Sequence, residues 1–311
     1  MAESRRQRVW LVRALVSIAL IAAIIVKAGP DRIMGAARSA HPVPLALALM
    51  LGVPRFAAKI ARWKVLADRA APPVGWKLAT RSLLVGTAGA VITPGRVGQA
   101  ASALLFPAGI RLVLSGMALI DPLADLVIAV ILVAYQVGGA LPGVAVLVCC
   151  AGGAYAAPRI GRALARRGGK VGPIGEGLER LDRRTIGLVS LLSAVIYGFN
   201  LLQFHLLLTA HGPVPFAAAA SSLPLIFLAV ACPITISGFG LREATAALAL
   251  ARYGIEAGIA VRASFELFLI NLLLPGLSGA LVASRLGIRV RPHGSIPPRN
   301  GSTHIRNGIS E

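Results

Sequence analysis

The sequence predicts an all-α fold, a polytopic bundle of membrane helices, on three observations. Of 311 residues, 56% are hydrophobic and only 14% charged, with a mean hydropathy of +0.77, whereas a soluble domain carries roughly 25% charge. The apolar runs have helix-spanning length, roughly 18–25 residues, and lack the ten-residue alternation of a membrane barrel. Finally, Ile92-Thr93-Pro94-Gly95-Arg96-Val97-Gly98-Gln99 and Ile236-Ser237-Gly238-Phe239-Gly240-Leu241-Arg242-Glu243 each end an apolar run with helix-interrupting residues, then an arginine and a Gln or Glu. In hydrocarbon such a break is tolerated only where protein or a wet cavity satisfies the freed backbone groups.

The elements follow in chain order. Residues 9–26, behind Arg5, Arg6 and Arg8, form a first span. The run contains Arg13 and lacks a small-residue cleavage pattern, so it reads as a retained helix rather than a removed signal peptide. After the connector 27–41, a second span covers 42–60 with a kink at Pro54. Lys59, Arg62, Lys64, Arg69, Lys77 and Arg81, against Asp68, read as a basic connector. Residues 82–93 would make a helix of about 18 Å, short of a ~30 Å hydrocarbon core, so a half-helix that turns back with 97–110 is expected. Spans at 112–134 and 142–158 come next, then the polar insert 159–184 and a span at 185–210. After His211-Gly212-Pro213, the apolar stretch 216–235 leads into the second break and the short segment 241–252. The last span is 257–284.

One membrane domain is thus expected over residues 1–284, with halves at about 9–158 and 185–284 joined by the basic loop 159–184. The tail 285–311 is expected to be disordered and cytoplasmic. The net charge of +20 invites a nucleic-acid reading. The basic residues cluster between apolar spans, however, where they report topology and contact anionic headgroups, so no nucleic-acid partner is expected. Placing the four basic segments in the cytoplasm predicts a multi-pass inner-membrane protein with both termini inside. The count closes when the two broken segments dip in from opposite faces, the pattern of an inverted repeat with a re-entrant helix pair in each half. It closes equally well if each dip is two full crossings. Cys149, Cys150 and Cys232 have no zinc or redox spacing. No nucleophilic triad, P-loop or dinucleotide fingerprint occurs, so neither a cofactor nor a metal is expected.

The first break offers Thr93, Pro94, Gly95, Arg96, Gly98 and Gln99 as a substrate-binding set. The exposed start of a half-helix has free amides and a positive dipole end that favour phosphate, and the Arg96 fork matches phosphate oxygens. An ordinary tight turn with Arg96 snorkelling to the interface is the alternative. Ser237, Gly238, Gly240, Arg242 and Glu243 make the equivalent second set. Arg242 and Glu243 are neighbours that diverge by about 100° on a helix, so each is expected to find a partner elsewhere. Asp121 and Asp125 share one helical face. They read as charge balance for Arg96 and Arg242, as an ion relay, or as members of a structural ion pair. Arg262 and Glu266 repeat the four-residue spacing and read as a stabilising pair. Asn200, Gln203 and His205 could line a cavity or bond a neighbouring helix.

These residues carry a resemblance. Over roughly residues 8–286 the chain is similar to the lysylphosphatidylglycerol synthase transmembrane-region family, also called flippase-like domain proteins. Pro233 to Glu243 resembles that family's glycine-rich segment ending in Gly-x-Arg-Glu, and Thr93-Pro94-Gly95-Arg96-x-Gly98 resembles its first-half motif. Arg62-Trp63 before Leu66 and the acids at 121 and 125 also match. The chain departs from the pattern at Gln99, where the family has an acid, at Pro122, where an arginine is frequent, and near Phe268, where an apolar residue replaces an arginine. The resemblance implies a module that binds and moves lipids, with anionic or glycosylated headgroups as partners. A non-transporting anchor for a lipid- or polysaccharide-synthesising enzyme is the alternative, and an intramembrane enzyme using Asp121 and Asp125 is the third reading. In the synthases the module is fused to an aminoacyl-transfer domain. No such domain is expected in the 27 residues past 284, so the chain alone is not expected to be an enzyme.

Overall fold

A computed structural model describes residues 40–70, 72–168 and 172–286. The expected first span at 9–26, most of the 27–41 connector and nearly all of the tail lie outside them. The described residues are mostly helical, and no strand occurs among them. They comprise α1 (Pro42–Ala70), α2 (Trp76–Ile92), a 3₁₀ helix (Val97–Leu105), α3 (Ala108–Gly138), α4 (Ala140–Arg167), α5 (Gly172–Glu179), α6 (Arg183–His211), α7 (Phe216–Ala231) and α8 (Leu241–Ala251). The last rod is α9 (Ala257–Phe268), a π turn (Leu269–Leu273) and α10 (Leu274–Arg285). Four rods are long and apolar enough to cross a membrane: α1, α3, α6 and the continuous 257–285 helix.

The first correction concerns α1. The expected basic connector does not begin at Lys59, because the helix continues to Ala70 and ends only ahead of Pro72-Pro73. Nothing between Arg55 and Ala70 breaks a helix, and Arg55, Lys59 and Arg62 are buried along it. The half-helix expected at 82–93 is likewise the end of a 17-residue helix, about 25 Å long at ~1.5 Å per residue.

Both broken segments stop for the same local reason. A residue before proline is pushed out of the α region. Thr93, before Pro94, is extended at φ −115 and ψ 143, and Cys232, before Pro233, is extended at φ −72 and ψ 120. The chain then reverses through left-handed residues: Gly95 (φ 59) and Arg96 (φ 58) in the first elbow, Ser237 (φ 53) and Gly238 (φ 79) in the second. The 3₁₀ helix folds back onto α2, and α8 folds back onto α7. Close approach in the first hairpin requires glycine, since a Cβ on Gly98 would overlap the Gly89 carbonyl. Lipid tails are as apolar as leucine, so tight small-residue contacts of this kind, rather than water exclusion, hold membrane helices together.

Each hairpin belongs to its own core. The first packs Leu83 and Ala103 with Trp63 and Leu66 from the end of α1 and Val189 from the start of α6. The second packs Leu223, Ile226 and Leu250 with Ala48 from the start of α1 and Leu207 and Leu208 from the end of α6. The two elbows meet between these cores, where Pro94 and Ile236 form an antiparallel backbone bridge.

Candidate functional site

Beside the elbows, α1 presents Arg55, Lys59 and Arg62 at helical spacing to the bundle interior. Arg62 is fully buried. It donates from Nε to Asp121 Oδ1 at 2.8 Å, and from Nη1 to Asp125 Oδ1 and Ser193 Oγ, both at 2.7 Å. Lys59 Nζ lies 3.2 Å from Asp121 Oδ2. The two aspartates therefore pair with α1, and of the readings left open for them the ion-pair reading describes the geometry. Arg55 has a neutral partner instead, donating to Asn200 Oδ1 at 2.7 Å. Asn271, inside the π turn, donates to Asn200 Oδ1 at 3.1 Å and Gln203 Oε1 at 3.0 Å, while Gln203 reaches the Ala48 carbonyl at 2.8 Å. Asn200 and Gln203 thus tie helices together. His205 packs edge-on against Phe216 with centroids 5.3 Å apart.

The second elbow is saturated. Glu243 sits in the first turn of α8 and accepts the Gly240 amide on Oε2 at 2.8 Å, satisfying a free donor at the positive end of the helix. Its other oxygen accepts from Arg242 Nε at 2.9 Å and also from Nη2. The guanidinium stacks 4.5 Å over the Phe268 ring and 5.6 Å from that of Phe239. This corrects the expectation that Arg242 and Glu243 look elsewhere: by folding back to cap Gly240, Glu243 comes within reach of its neighbour. Glu266 is met by His211, whose Nε2 lies 3.0 Å from each carboxylate oxygen.

The first elbow is left open. Thr93 shapes it, its hydroxyl donating to the Gly89 carbonyl at 2.9 Å and accepting the Gly98 amide at 2.7 Å. Gln99 holds the place of the acid but makes no ion pair, and its buried amide nitrogen has no hydrogen-bond partner among the described residues. Among the described residues, Arg96 has neither an ion pair nor a hydrogen bond at its buried Nε. It lines a cavity of about 260 Å³ with Gly95, Pro122, Asp125, Phe227 and Val230 among its walls.

Of the expected site residues, then, Gly95, Arg96 and Asp125 line the cavity. Thr93, Pro94, Gly98, Gly238 and Gly240 shape the elbows. Ser237 is buried, its hydroxyl without a hydrogen-bond partner among the described residues, and Arg242, Glu243 and Asp121 are engaged in ion pairs. Sequence reasoning assigned Lys59 and Arg62 to a connector and did not single out Arg55, whereas all three are buried on α1. The signal was available in their spacing, 55, 59 and 62, on an uninterrupted helix-forming stretch. Around the elbows, five cations (Arg55, Lys59, Arg62, Arg96, Arg242) face three carboxylates (Asp121, Asp125, Glu243), an excess of positive charge next to the cavity. Among the described residues no cluster of three His, Cys, Asp or Glu could hold a metal ion.

The family model described as lysylphosphatidylglycerol synthase TM region matches residues 10–279. No curated protein and no solved structure matches the chain.

Proposed function

We propose, from the premise that the chain belongs to the lysylphosphatidylglycerol synthase TM region family, that this membrane protein binds the anionic headgroup of a lipid at its first elbow and carries it across the bilayer. The observation that carries the reading is Arg96, a cation with a buried, unbonded Nε on the wall of a cavity at the junction of two broken helices. An uncompensated charge at membrane depth is costly and marks substrate or ion paths. An anion seated there removes that cost, and a guanidinium fork suits phosphate. A volume of about 260 Å³ suits a headgroup, while the acyl chains remain in the lipid.

Broken helices meeting near midplane are the usual binding element of transporters built from inverted repeats. The separate cores of the two hairpins, at opposite ends of α1 and α6, support entry from opposing leaflets. The left-handed conformations of Arg96 and Ser237 store strain where rearrangement is needed. The lysine and arginine bias of the segments between spans supports a reading in which both termini are cytoplasmic and the bundle sits in the inner membrane.

The test uses proteoliposomes of phosphatidylglycerol and phosphatidylethanolamine doped with fluorescent phosphatidylglycerol, read by leaflet-selective quenching. Losing one charge-assisted contact, about 1.5–3 kcal/mol, should slow lipid movement in Arg96→Gln about tenfold or more, with unchanged thermal unfolding. Lipid movement at the wild-type rate in that variant would remove the assignment.

A further inference from the structure

Arg55 is a second cation without a carboxylate of its own. It stands near the middle of the 29-residue α1 and is buried, 6% exposed. Among the described residues it makes no ion pair. Its Nε donates to the neutral Asn200 Oδ1, an oxygen that also accepts from Asn271. An amide carbonyl carries no net charge to cancel a guanidinium, and a lone charge at that depth is costly. The neighbouring cations are matched: Lys59 and Arg62 by Asp121 and Asp125, and Arg242 by Glu243. The positive excess around the elbows is therefore that of Arg55 and Arg96.

The two charges act on one place. Arg55 lies within electrostatic range of both Asp125 and Arg96, and those two residues line the elbow cavity. Asp125 is already engaged, giving Oδ1 to Arg62 at 2.7 Å. A ligand with one negative charge leaves one of the two arginines uncompensated, whereas a ligand with two leaves neither. At neutral pH a phosphodiester carries a single charge, while a phosphate monoester carries about −1.5 to −2 and three acceptor oxygens. Most other walls are apolar, Leu119, Leu123, Leu126, Phe227 and Val230 among them, and in such a surrounding a charge counts for more than in water.

Resting on the reading of the first elbow as a headgroup site, we infer that its preferred ligand is a lipid whose headgroup ends in a phosphate monoester, over a phosphodiester lipid. Arg96 takes the phosphate oxygens from the cavity wall. Arg55 acts at range, as the cation that sets the preference for a second negative charge.

Native mass spectrometry on the full-length protein in neutral detergent measures the preference. The protein is titrated with dioctanoyl-phosphatidic acid or dioctanoyl-phosphatidylglycerol, with inorganic phosphate as a competitor. The wild-type protein should bind phosphatidic acid about tenfold more tightly than phosphatidylglycerol, from one further charge interaction in a poorly solvated site. Arg55→Gln should bring that ratio close to one, and Arg55→Lys, which keeps the charge, should retain it. Gln99→Glu adds a carboxylate beside Arg96 and should lower the ratio without touching α1. Arg96→Gln should weaken both lipids. A wild-type ratio of one, with Arg96→Gln still weakening both lipids, overturns the preference and leaves the elbow as a headgroup site. A ratio that survives Arg55→Gln overturns the role of Arg55, and one lost equally in Arg55→Lys overturns charge as its cause. Displacement of phosphatidic acid by equimolar inorganic phosphate overturns a lipid as the occupant in favour of free phosphate.

Discussion

Both elbows begin where a helix stops one residue short of a proline, and both turn through a glycine and a non-glycine residue in the left-handed region. They are finished differently. Arg242 is held by Glu243 and by two aromatic rings, whereas Arg96 faces a cavity beside a neutral Gln99. One carboxylate separates the two outcomes. Where an acid follows the arginine, it caps the half-helix and neutralises the charge, leaving a fixed strut. Where Gln replaces it, the charge stays unpaired and available to a ligand. On the function proposed above, the second elbow supports and the first one binds.

The largest expected effect comes from breaking the closed elbow. Glu243→Gln strands a buried guanidinium, which should cost about 3–5 kcal/mol, read as a large drop in the thermal unfolding midpoint. Gly98→Ala tests the hairpin of the open elbow. Forcing a methyl against the Gly89 carbonyl should cost about 1–3 kcal/mol, and an unchanged midpoint would mean that the two segments are not in contact.

Gln99→Glu converts the open elbow towards the closed one. It should leave stability intact or raised, yet slow phosphatidylglycerol movement about tenfold as Arg96 gains an internal counter-ion. The smallest effect lies outside the elbows and calibrates them. Contact with the Thr185 side chain and amide holds the Asp182 carboxyl below its ordinary value of 3.8. A depressed carboxyl stabilises above its unfolded pKa, and that contribution fades as pH falls through the lower folded value. Wild type should therefore lose a little stability below pH 3.8 that Asp182→Asn does not lose, measured by unfolding midpoints across an acid titration.

Much of this architecture was legible in the sequence. Pro94 and Pro233 announce where α2 and α7 must stop, because pre-proline sterics act locally, and the apolar runs mark α3, α6 and the last rod. The partnering of charges was not legible. Lys59 and Arg62 look like loop residues when counted for topology, and only the packing of α1 against α3 turns them into the counter-ions of Asp121 and Asp125. Likewise, adjacency on a helix wheel hides the Arg242–Glu243 pair, since that contact depends on Glu243 bending back to the Gly240 amide. Helix breaks are set by neighbours in sequence, and ion pairs by neighbours in space.

The most direct test of an open and a closed elbow is the rate at which butane-2,3-dione, an arginine reagent, modifies Arg96 and Arg242 in nanodiscs, read by peptide mass spectrometry. The account predicts that Arg96 reacts in phosphatidylcholine discs and is protected in phosphatidylglycerol discs, while Arg242 stays unmodified in both. Equal reactivity of the two arginines, or no protection of Arg96 by the anionic lipid, would contradict it.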